Sequence, residues 1–207
     1  SVYFCNVEIE TIEEFISIFN IDDMNVSTWH SICERLKEGI KNESNKNQRY
    51  KNIKFQYNPN KNFNGIFNFL GSNSNLNEEV KITASSVERG NLSQLIQSKY
   101  LHHEFHTKNL IDSWICFEFL KRNVIPSSYT LRSNSWGVNY ENLKNWVFEC
   151  SNDSINWEIL DIQTNCTLLN GQSLVHNFSV KNDNNRSFKY FRIRQTGRNC
   201  GSSYYLC

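Results

Sequence analysis

The chain has 207 residues, with 22 Lys and Arg against 21 Asp and Glu, a formal net charge of +1 and 39% hydrophobic residues. That balance lacks the basic excess that binding along a nucleic-acid backbone requires, so no nucleic-acid partner is expected. No apolar run of about 18 residues occurs, which excludes a membrane-spanning helix, and the length suits one good-sized core plus a smaller appendage, in one to two domains.

The chain opens at Ser1 with no basic stretch running into an apolar one, so no secretory signal is visible. Residues 1–41 read as a helical segment. "TIEEFISIF" spaces Ile12, Phe15, Ile16 and Phe19 by threes and fours, and "STWHSICERL" does the same with Trp29, Ile32, Cys33 and Leu36. Ser27 or Thr28 is positioned to cap the second of these helices. Residues 42–51, within "KNESNKNQRYKN", are polar and nearly devoid of large aliphatics, and read as a linker.

From residue 52 to 207 the period changes to two, with the aromatic and β-branched residues that strands favour. Nine strands are predicted, in "IKFQY", "GIFNFL", "VKITASS", "WICFEFL", "SYTLRS", "WVFECS", "WEILDIQT", "LVHNFSV" and "KYFRIRQT". Short strands without intervening helices imply an antiparallel β-sandwich or jelly roll. The alternation points Phe191 and Ile193 inward, with Tyr190, Arg192 and Arg194 outward, and puts Ile115, Phe117 and Phe119 on one face. Asparagine is the commonest residue and proline one of the rarest, with two; asparagine tolerates positive φ and serves turns where proline or glycine otherwise would. Seven cysteines are an odd number with no C-x-x-C, and Cys116 and Cys150 lie inside apolar strands, which favours reduced thiols and a cytoplasmic setting over an extracellular one.

"ITASS", then "SWICFEF" after a long loop, then "LKNWVFECSNDSINWEIL" and "KYFRIRQTG" together resemble the discoidin domain, or coagulation factor 5/8 type C domain, a galactose-binding-like jelly roll. "SND" followed by Trp157 is the most specific piece: a turn whose Asp and Asn bond their own backbone, and a tryptophan expected to re-enter the core. "FISIF" and "STWHSICERL" resemble the helical tail of BTB-BACK adaptor proteins. Two departures bear on the resemblance. No cysteine lies near the start of the domain to form the family's end-to-end disulfide, and the chain stops at "SSYYLC", where the family continues into a closing strand. The expectation is therefore a truncated sandwich, with an exposed strand edge around "GIFNFL".

"YLHHEFHTKN" gathers His102, His103 and His106 around Glu104 in the long connection before "SW". A zinc motif is not met: "HEFH" is one residue short of H-E-x-x-H, and no cysteine stands at useful spacing, so no metal or cofactor is expected. The histidines are then either solvated loop residues or part of a ligand-contacting rim. The resemblance implies that "SVERGN", "SNSWGVNYEN" and "GRNCGSS" reach the same end, bringing Arg89, Trp136, Tyr140 and Arg198 beside the histidines. Trp136 either folds back onto the sandwich or faces a ligand. No nucleophile elbow, phosphate loop or carboxylate pair stands in a catalytic context. The chain thus reads as a noncatalytic binding module: an intracellular protein-interaction adaptor first, and a carbohydrate or phospholipid-surface binder as the alternative. Within "SVERGN" only Val87 is apolar, which disfavours lipid insertion.

Overall fold

A computed structural model of the chain describes residues 25–34, 36, 53–96 and 105–207. It divides into two compact units, Ser1–Lys54 and Phe55–Cys207. No helix among the described residues is long and apolar enough to cross a membrane.

In the first unit, residues 26–34 form helix α1. Its cap is Asn25 rather than Ser27 or Thr28: the Asn25 Oδ1 accepts from the Thr28 amide at 2.9 Å and from the Ser27 hydroxyl at 2.7 Å. Ser27 and Thr28 already lie within the first turn, where their own amides need an acceptor, whereas Asn25 sits just before that turn. Thr28 and Ile32, four apart, are buried, while Trp29 is exposed. The predicted helix around Ile12–Phe19 and the polar linker lie outside the described residues.

The second unit begins with two helices, α2 (Ile66–Asn73) and α3 (Leu76–Glu79). Seven strands follow: β1 (Val80–Ala84), β2 (Trp114–Phe119), β3 (Ser128–Arg132), β4 (Trp146–Ser151), β5 (Glu158–Gln163), β6 (Val175–Ser179) and β7 (Tyr190–Gln195). They form a five-stranded sheet in the order β1-β2-β7-β4-β5 and a two-stranded sheet of β3 and β6, all pairings antiparallel. The result is an antiparallel jelly-roll sandwich, as the discoidin-like pattern implies. Its core contains Trp146, Leu70, Leu169 and Leu206, none more than 2% exposed. A partly buried hydrogen-bond chain links the two sheets: Trp146 Nε1 donates to the Tyr129 hydroxyl at 2.8 Å, which donates to Asp161 at 2.6 Å. Burial, with the Asp161 carboxylate beside it, pushes the Tyr129 phenol well above its usual range.

Three expectations are corrected. "GIFNFL" is not an edge strand but the start of α2, so no exposed strand edge lies there. A short apolar run fits either period, and here side chains close back on the preceding turn: Asn68 bonds Asn64 at 3.1 Å and Asn73 bonds the Phe69 carbonyl at 2.6 Å. Phe67 stacks on Phe119 of β2, with centroids 5.7 Å apart, which docks the helix on the sheet. "IKFQY" has no regular structure over 53–57; Phe55 instead packs its ring on Phe69 of α2. Trp157 does not re-enter the core. It lies half-buried on the outer face of the five-stranded sheet, its ring 3.8 Å from the Arg192 guanidinium carbon.

Other readings hold. Phe191 and Ile193 are buried and Arg192 and Arg194 face out, where both bond the buried Glu149 at 2.7 and 2.9 Å. Ile115 and Phe119 are buried on the inner face, and Phe117 packs against the same core. The Asp153 turn is built as its sequence suggests: its Oδ1 accepts from the Ile155 and Asn156 amides at 2.9 and 2.8 Å.

Candidate functional site

Antiparallel pairing decides which loops meet. Ala84 lies opposite Ile115, Trp114 opposite Arg194, and Trp146 opposite both Gln195 and Gln163. The connections β1–β2, β3–β4, β5–β6 and the segment after β7 therefore emerge at one end of the sandwich. The turns β2–β3, β4–β5 and β6–β7 emerge at the other.

Asparagine side chains tie the loops of the first end together. Asn142 Nδ2 donates to the Gly137 carbonyl at 2.6 Å, and Asn145 Nδ2 donates to the Arg198 carbonyl at 2.7 Å. Asn139 and Asn170 bond each other across two loops, and Asn109 accepts from the Tyr204 amide at 2.7 Å. Asn199, 2% exposed, donates to Ser203 and to the Tyr205 carbonyl and accepts from the Ser203 amide. An amide that both donates and accepts holds irregular backbone that cannot satisfy itself through a ladder. Packing favours one glycine: a Cβ on Gly201 would lie a tight 3.1 Å from the Tyr140 backbone.

His106 stands at the centre of this end. Its backbone pairs with Arg89, the amide donating to the Arg89 carbonyl at 2.9 Å, and it is 6% exposed. Its ring lies 5.4 Å from Trp136 and 6.2 Å from Tyr205. Trp136 in turn meets Tyr140 edge to face, at 5.9 Å and 84°. Trp136 is 44% and Tyr140 52% exposed, so both reach solvent while resting on a buried base. Trp136 thus folds partly back onto its own sandwich and partly presents a free edge.

Arg89, whose backbone pairs with His106, and Arg198, in the segment after β7, belong to the same end and are exposed. Arg198 donates to the Ser202 carbonyl at 2.7 Å and lies 5.3 Å from the Tyr204 ring centre. His102 and His103 lie outside the described residues, and His106 occupies an isolated bridge rather than the helix that a shared face with His102 would need. Tyr205, Glu141 and Cys207 were not anticipated. His106 Nδ1 lies 3.3 Å from Cys207 Sγ and 3.5 Å from Glu141 Oε2, and the thiol lies 4.0 Å from that same oxygen. A Cys–His contact is the start of a nucleophile–base pair, but Glu141 converges on the same ring nitrogen instead of orienting the other one. Three donors pointing at one place suit holding something rather than relaying a proton.

At the opposite end, an open depression is lined by Asp153, Trp157, Arg186 and neighbours. Hydrogen bonds from Asn156 and from the Ile155 amide hold the Asp153 carboxyl far below its usual range. Elsewhere, burial raises the Cys116 thiol to about 11 and lifts that of Cys150 further still, which leaves both inert near neutral pH.

No family model matches the chain. In sequence it is similar to the E3 ubiquitin-protein ligase hecd-1 of Caenorhabditis elegans, 27% identical over 155 residues, covering 69% of this chain and 6% of that ligase. The chain therefore spans a small fraction of that relative's length. Among solved structures it is similar to CpGH89CBM32-5 from Clostridium perfringens, in complex with GalNAc-β-1,3-galactose. The identity is 16%, with a TM-score of 0.49 over 61% of this chain and 89% of that one. It is likewise similar to the family 32 CBM of C. perfringens NanJ in complex with galactose, 14% identical, with a TM-score of 0.47 over 61% of this chain and 88% of that one.

Proposed function

We propose that the chain is a noncatalytic binding module whose loop end, centred on Trp136 and Tyr140, takes glycans. The observation that supports this is the paired aromatic surface: two half-exposed rings at 84°, of which Trp136 rests on buried His106, at the end that also carries exposed Arg89 and Arg198. A sugar ring offers an apolar C–H face for stacking and a rim of hydroxyls for hydrogen bonds. An aromatic platform beside fixed donors answers both, and the asparagine ties lower the ordering cost of binding. In a binding assay against neutral, amino and acidic oligosaccharides, Trp136→Ala is expected to weaken the best ligand by about tenfold or more, since truncating an aromatic anchor costs upwards of about 1–2 kcal/mol. A wild-type chain that binds none of them, or a variant that binds equally well, overturns the reading.

A protein partner, recognised in an adaptor role, is the second reading. It draws on the composition of the same surface: Trp136, Tyr140 and Arg198 are hot-spot residue types, and Val138 beside them is 63% exposed. Likeness to a short stretch of a ubiquitin-protein ligase supports a recognition module within a larger protein. The unpaired thiols of Cys116, Cys150, Cys166 and Cys200 fit the reducing, cytoplasmic setting that this reading assumes. Loss of a defined protein ligand in Trp136→Ala, with no glycan bound by the wild type, would favour it over the first.

A further inference from the structure

We infer that His106, Glu141 and Cys207 form a zinc site with one open coordination position. The three ligand atoms, His106 Nδ1, Glu141 Oε2 and Cys207 Sγ, lie within 4.8 Å of one another. Tetrahedral zinc, with sulfur at about 2.3 Å and nitrogen or oxygen at about 2.0–2.1 Å, requires ligand–ligand separations of roughly 3.3–3.6 Å. The separations here are 3.3, 3.5 and 4.0 Å, so only the thiol–carboxylate edge must close, by less than the swing of a glutamate rotamer. The donors themselves select the metal. Imidazole, carboxylate and thiolate together suit a borderline-soft divalent ion, whereas calcium or magnesium would want oxygens alone.

The scaffold places the donors before any ion arrives. The residue after His106 and the residue before Cys207 are tied reciprocally: the Thr107 amide donates to the Leu206 carbonyl at 3.1 Å, and the Leu206 amide donates to the Thr107 hydroxyl at 3.0 Å. Thr107 and Leu206 are 0% and 2% exposed. The imidazole is further confined by the Trp136 and Tyr205 rings. Glu141 stands between Tyr140 and the buried Asn142, whose side chain closes the loop on the Gly137 carbonyl. On binding, the thiol gives its proton to solvent and the sulfur lone pair goes to the metal. Three protein ligands leave the fourth position for water. Glu141 is 22% exposed at its side chain, so that position opens toward the solvent side of the cluster. No local motif announces the site, because its members lie 66 and 101 residues apart along the chain.

The test is metal titration of the whole 207-residue chain under reducing conditions, and it does not depend on which ligand the aromatic surface binds. Cobalt serves as the spectroscopic stand-in for zinc. One equivalent should produce a thiolate-to-metal charge-transfer band, and zinc should bleach it. Cys207→Ser should abolish the band, and Glu141→Gln should weaken zinc binding by about tenfold or more. Melting curves check that each variant is folded, and Glu141→Gln keeps the test decisive if the serine variant is not. Absence of stoichiometric binding by the wild type overturns the site. So does binding that survives both substitutions, since other thiols would then hold the metal.

Discussion

At the scale of single residues, the end bearing Trp136 is built by side chains whose chemistry fits irregular backbone. Asn142, Asn145 and Asn199 take the place of ladder hydrogen bonds, which gives a physical account of the asparagines at this end. At the other end Asp153 does similar work with a charge. Its folded-state pKa is depressed below the ordinary carboxylate value, so its contribution to stability is complete above that ordinary value and is lost as pH falls toward the depressed one. Thermal melts should therefore show the wild type losing stability, relative to Asp153→Asn, as pH drops from about 5 to 2. At neutral pH the variant should melt lower. Curves that run parallel across that range would show the turn to be indifferent to its charge. The partial exposure of Trp136 agrees with one of the two sequence readings, because a large aromatic in a polar, glycine-bearing loop has little core to fill. Glu141 and Cys207 were not legible in the sequence, since what makes them notable is a juxtaposition across most of the domain.

At the scale of elements, the strands read from alternation agree with the structure wherever one face is buried and the other carries charge, as in β7. Alternation misleads at 53–57, where no face is buried, and at a short run in which apolar residues lie next to one another. Ile66, Phe67, Phe69 and Leu70 satisfy both periods, and tertiary packing on Phe119 selects the helix. Gly71 offers a direct check. It lies inside α2, and a Cβ there would meet only Leu76 Cδ2, at an ordinary 3.7 Å. Gly71→Ala should raise the urea midpoint and stabilise the domain by about 0.5–1 kcal/mol, as expected of a helix interior with room for a methyl. A loss of stability would contradict the helical assignment.

At the scale of the whole molecule, the jelly-roll topology separates two ends with different characters. One end carries connections from both sheets, cross-tied into a rim with His106 at its base; the other carries short turns, with Arg192 and Trp157 stacked on the adjoining sheet face. The pattern of strands and turns was enough to expect this sandwich, and the resemblance implied the convergence of loops. What it could not supply was the depth of each side chain: His106, expected at the rim, is buried beneath Trp136. The five tryptophans make the central claim directly observable. Indole N–H signals of an isotopically labelled chain would be followed while oligosaccharides of the panel are added. The account predicts that the Trp136 signal shifts and saturates, while those of Trp114 and Trp157 on the outer sheet face stay in place. Saturable shifts at Trp157 with Trp136 unmoved would contradict it.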